Sequence, residues 1–170
     1  MSKTLTGNYV ANVFVAFAGN SPLTVLGTIA PTGGTALNLL GGAAYDWAVV
    51  NSGNIDSSVN GNAGIDFGTN PMGVASGTLT NLTGGYIYGA AQGVEIYGPG
   101  SVTNQTGATI KGGQTAVAST GALTVTNAGF VGADYVGVQD FSLTVTNQTG
   151  GTIYGDHYGI RISGSGTITN

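Results

Sequence analysis

Short phrases in which aliphatic residues alternate with threonine or another polar residue recur along the chain and close on asparagine. They are Gly77-Thr78-Leu79-Thr80-Asn81, Ser101-Val102-Thr103-Asn104, Leu123-Thr124-Val125-Thr126-Asn127, Leu143-Thr144-Val145-Thr146-Asn147 and Gly166-Thr167-Ile168-Thr169-Asn170. Alternation with a period of two predicts a β-strand with one buried face. Two further strand phrases fall between successive asparagines. After a glycine-rich turn comes one around Ile55, Ile87, Ile110, Val131 or Ile153. After a second turn comes Ile65-Asp66-Phe67, Val94-Glu95-Ile96, Val117, Val136 with Val138, or Ile160-Arg161-Ile162. The asparagines Asn51, Asn81, Asn104, Asn127, Asn147 and Asn170 stand 30, 23, 23, 20 and 23 residues apart. Such a period marks a solenoid, whose repeats bury their apolar faces only by stacking on one another.

The expected fold is an all-β parallel β-solenoid with three short strands per coil of about 23 residues and about seven coils. Equivalent strands pair in parallel at about 4.8 Å, which makes a rod roughly 30–35 Å long. Residues 1–170 read as one solenoid, with 1–51 as irregular N-terminal coils or a cap and 52–170 as regular coils. No segment keeps a helical period, and 32 glycines oppose one. Stacked at one corner, the six asparagines are expected to form a ladder, their amides bonding from coil to coil and satisfying turn backbone groups.

Composition narrows the function. The basic residues are Lys3, Lys111 and Arg161 alone, against seven acidic ones, too few to neutralise a phosphate backbone, so nucleic acid is excluded as a partner. Without cysteine there is neither disulfide nor thiolate chemistry. No apolar run approaches the roughly 20 residues of a membrane-spanning helix. The stretch Tyr9–Ala18, with Lys3 upstream and Ala16-Phe17-Ala18 at its end, has the outline of an export signal. Asn8 and Asn12 interrupt it, and Val10, Val13 and Val15 favour a strand, so it is read as a first strand or end cap.

Residues Ser101–Gly112 (SVTNQTGATIKG) and Thr144–Gly155 (TVTNQTGGTIYG) carry a likeness to known proteins. Over roughly Asp46–Asn170 the chain resembles the β-strand-repeat regions of bacterial autotransporter passenger domains and related surface adhesins. The resemblance implies a right-handed parallel β-helix, the hand that parallel crossovers favour generally, and an extracellular or cell-surface location. The family's export signal and C-terminal membrane barrel have no convincing counterpart here.

Candidate chemistry is sparse, and no cofactor is expected. Asp66 and Glu95 fall at matching outward positions of neighbouring coils, about one strand spacing apart. Such a pair can bind calcium or share acid/base work on a polysaccharide, but the expected column continues as Ala118, Gly137 and Arg161, which completes no site. Gly61-Asn62-Ala63-Gly64-Ile65-Asp66 is a single imperfect copy of a calcium-binding repeat that works only in tandem. His157, the sole histidine, reads as an exposed turn residue, and no Gly-x-Ser-x-Gly accompanies it. Asn81, Asn104 and Asn147 each begin an N-glycosylation pattern that follows automatically from the repeat. Tyr88 and Tyr154 occupy equivalent outward positions and could stack on sugars or anchor an interface.

The ends suggest assembly. Asn170 closes a repeat phrase with no charged tail, helix or proline after it, and the first coils are apolar and strand-prone. A head-to-tail homopolymer is the first expectation, because a heterologous contact that does not close makes a filament. An adhesin or passenger segment that binds carbohydrate or a host surface is the second. A β-helical polysaccharide lyase or hydrolase, or part of a viral fibre, comes after these.

Overall fold

A computed structural model of the chain describes residues 2–16, 21–40, 45–68 and 76–170. Its strands form seven coils of three. The first two are β1 (Lys3–Leu5), β2 (Asn8–Tyr9) and β3 (Val13–Val15), then β4 (Leu23–Val25), β5 (Thr28–Ile29) and β6 (Leu37–Leu39). The third and fourth are β7 (Asp46–Asn51), β8 (Asn54–Ser57) and β9 (Ile65–Phe67), then β10 (Ser76–Asn81), β11 (Tyr86–Gly89) and β12 (Gln92–Ile96). The fifth is β13 (Gly100–Asn104), β14 (Thr109–Gly112) and β15 (Thr115–Ser119). The sixth opens with β16 (Leu123–Asn127) and β17 (Phe130–Ala133) and ends in the first half of β18 (Val136–Asn147). The rest of β18 begins the seventh, which continues through β19 (Thr152–Gly155) into the first half of β20 (Tyr158–Thr169), whose second half adds an eighth strand to the first face.

All pairing is parallel and in the expected phases. Asn81 pairs with Asn51 and Asn104, Ile87 with Ile55 and Ile110, and Val94 with Ile65 and Val117. The three faces are nevertheless two sheets, one of 13 strands and one of 7. The cause is β18 and β20, which run unbroken round the corner between the third and first faces. Tyr9 and Val13–Val15 belong to the strands of the first coil, and Phe17 and Ala18 of the export-like stretch lie outside the described residues.

Inward positions build one continuous core of Leu, Ile and Val with Trp47 and Phe67. Packing across the third-to-first corner follows a volume exchange. Phe67 lies over Gly77 at 2.7 Å from where a Cβ would stand, and Ile162 lies over Gly166 at the same distance. Ile96 likewise fills the space a side chain at Gly100 would take. In the fifth and sixth coils the sizes reverse: Ser119 and Asp140 take the large residue's column, and Leu123 and Leu143, each 1% exposed, take the glycine's. From Phe67 onward each layer thus pairs one large with one small residue across this corner, whereas Leu39 and Trp47 fill the two columns together one coil earlier.

The first face also carries two outward columns of hydroxyl residues. Thr78, Ser101, Thr124, Thr144 and Thr167 form one, and Thr80, Thr103, Thr126, Thr146 and Thr169 the other. β-branched side chains suit such a pleated surface.

Candidate functional site

All six expected asparagines stack at the first corner, and their amides bond in a single direction. Asn51 Nδ2 donates to Asn81 Oδ1 at 2.8 Å, Asn81 to Asn104, Asn104 to Asn127 and Asn127 to Asn147 at 2.9 Å each, and Asn147 to Asn170 at 2.8 Å. Each interior amide also donates to turn carbonyls, as Asn104 does to Ala108 and Phe130 at 3.3 and 3.1 Å. Above Asn51 the same column continues as Val25 and Leu5, and Asn51 Oδ1 accepts the Gly53 N–H at 3.1 Å instead. The ladder is therefore structural. Asn81 and Asn104, exposed by no more than 1%, have no room for a glycan in the folded chain.

Asp66 and Glu95 are direct register partners on the third face. Burial, and then the charge of Glu95, push the Asp66 carboxyl up to about 7, and its Oδ1 has no hydrogen-bond partner. Burial also raises Glu95, while a hydrogen bond from Tyr97 draws it back down. The Tyr97 hydroxyl is pushed to about 12 by burial, by the two carboxylates and by that bond. Two carboxyls beside one phenol can share a proton, but Asn38 precedes them in the column and Ala118 follows. Among the described residues no cluster of three or more His, Cys, Asp or Glu is placed to hold a metal ion. Below Ala118 the column continues as Gln139 and Arg161 rather than through Gly137. Gly137 instead turns inward at the corner, where a Cβ would meet the Tyr154 carbonyl at 2.6 Å and the Ile153 side chain at 3.0 Å.

Tyr88 and Tyr154 do share an outward column on the second face. Lys111 and Gly132 separate them, which puts them three strand steps, about 14 Å, apart. The Phe130 ring covers Gly132, lying within 2.7 Å of where its Cβ would stand. The two tyrosines thus form no single site.

His157 is exposed in a turn and packs against Tyr135, ring centroids 4.4 Å apart, with Tyr158 edge-on to Tyr135 at 6.3 Å. Arg161 sits over Tyr158 at 5.9 Å and reaches a groove of about 300 Å³ lined by Ser119, Gln139, Asp140, Phe141, Arg161 and Ser163. Asp140, Phe141 and this groove were not singled out from the sequence. The signal was an acidic residue standing where neighbouring coils place Phe67 and Ile96, and it becomes visible only once the register is known.

No protein-family model matches the chain, and comparison with curated proteins and with solved structures likewise yields no match.

Proposed function

We propose that the chain is a structural, non-enzymatic subunit of an extracellular or cell-surface filament, assembled by stacking copies head to tail. The observation that carries this reading is the uniform coil-to-coil pairing. Every strand pairs only in parallel and with its own counterpart, and Leu79, Val102, Val125, Val145 and Ile168 share one inward column, so a coil of a second copy can dock by the same pairing that holds this chain's own coils together. The surfaces brought together are β1, β2 and β3 of one copy and β19 and β20 of the next. A joint between these surfaces is heterologous and generates an open fibre. The resemblance to surface adhesins supports the extracellular placement.

Continuing the register across the joint sets Lys3 beneath Ile168 and Leu5 beneath Asn170. Lys3 is then an inward-facing charge in the contact, its stem lying on the core and its ammonium reaching for water. Inward charges on edge strands are a known brake on addition. Negative-stain microscopy is expected to show fibres many times longer than one rod, and Lys3→Leu to give more and longer fibres at equal concentration. Short single rods at high concentration for both the natural chain and Lys3→Leu would reject the proposal.

An adhesive role is the second reading, favoured by the exposed ring pair Tyr135–His157 and the groove beyond Arg161.

A further inference from the structure

The third-face groove of coils five to seven brings an exposed aromatic ring, a guanidinium and several neutral polar side chains together. Beneath it lies Asp140, only 6% exposed and set in the inward column of Ile162, whose Oδ1 accepts the Phe141 N–H at 2.6 Å and whose Oδ2 is sealed from the groove. One wall is Phe141, 68% exposed, whose ring lies over Gly164. Following the inward Asp140, this ring faces out, beside the place where an extra residue in β20 shifts the pairing between Asp140 and Ser142. The opposite wall is Arg161, the only arginine in the chain, with the Gln139 amide beside it in the same column. Ser119 and Ser163 complete the rim.

The geometry points to a carbohydrate-binding groove that holds one ring of a neutral glycan. A volume near 300 Å³ sits at the lower bound of small-ligand sites, roughly the room a single sugar ring needs. A pyranose presents a C–H face and a rim of hydroxyls that both donate and accept. The phenyl of Phe141 suits the face. The guanidinium and the Gln139 amide nitrogen supply donors, and the Gln139 amide oxygen and the seryl oxygens supply acceptors. The chain's formal net charge of −4 works against an acidic glycan, so a neutral one is the better fit. The packed rings of Tyr158, Tyr135 and His157, edge-on and tilted to one another, continue from Arg161 and give a linear chain a second place to rest. Arg161 points outward but stands on β20, an edge strand of the proposed joint, so binding is measured on chain dilute enough to be unassembled.

Titration calorimetry of the full chain with cellotetraose, maltotetraose and mannotetraose, and with tetragalacturonate as an acidic comparison, tests the assignment. At least one neutral tetrasaccharide is expected to bind at millimolar concentration or better. Phe141→Ala and Arg161→Gln should each weaken it tenfold or more while thermal unfolding is unchanged, and Tyr88→Ala on the second face should leave it intact. Binding to tetragalacturonate alone, no binding to any of the four, or equal loss in Tyr88→Ala would overturn the assignment. So would binding that Phe141→Ala and Arg161→Gln leave untouched.

Discussion

Each ladder asparagine answers two demands that no other side chain meets together. Its amide nitrogen satisfies turn carbonyls and the next amide, while its oxygen accepts from the amide above. Asn104→Ala removes these bonds in a buried column and is expected to lower stability by about 3 kcal/mol, read from the urea midpoint. An unchanged midpoint would show that the ladder is decorative. Asp66 works the other way. Its folded value near 7 lies above the ordinary 3.8. Its contribution is therefore fully present below the unfolded value and is lost as pH rises through the folded one. The chain should be less stable at pH 8 than at pH 4. Asp66→Asn should remove most of that slope, giving a higher urea midpoint at pH 8 and no gain at pH 4.

Strands and turns are held by exchanges of volume rather than by single residues. Gly100→Leu forces a side chain into the space of Ile96 and should destabilise by about 1–3 kcal/mol or more, as overpacking does. Adding Ile96→Ser recreates the Ser119–Leu123 arrangement of the next coil and should recover at least half of the loss, which a double-mutant cycle reads as coupling. No coupling would mean the two positions do not share one space. Turn glycines are a separate case. Gly107 has φ +75, and a Cβ there would meet only the Thr83 methyl at 3.6 Å, so Gly107→Ala should cost only the left-handed strain, about 1–2 kcal/mol.

Taken whole, the molecule is quasi-one-dimensional, because each coil touches only its neighbours. Opening should therefore begin at the outer coils and not in the middle. Amide hydrogen exchange is expected to be slowest at Ile87, Ile110 and Val131 and fastest at Tyr9 and Ile153, which occupy the same column at the two outermost coils. Uniform protection along this column would contradict the graded picture. If copies stack as proposed, protection at Tyr9 and Ile153 should rise with concentration.

The sequence by itself determined the period, the phase of the three strands and the asparagine ladder. All three are set by translation from one coil to the next: a residue's partner is its own counterpart about 23 positions on, so alternation and spacing carry the information. What happens at corners is not translational. Only the tertiary structure showed the asparagine column continuing as Val25 and Leu5, where spacing changes and the marker residue disappears. It alone placed Gln139 rather than Gly137 beneath Ala118, since the chain's turning at the corner decides which side chain faces out. The exchange of Phe67 and Ile96 for Ser119 and Asp140 was equally hidden. It depends on which residues meet across a corner, and the groove beside Phe141 and Arg161 exists because of it.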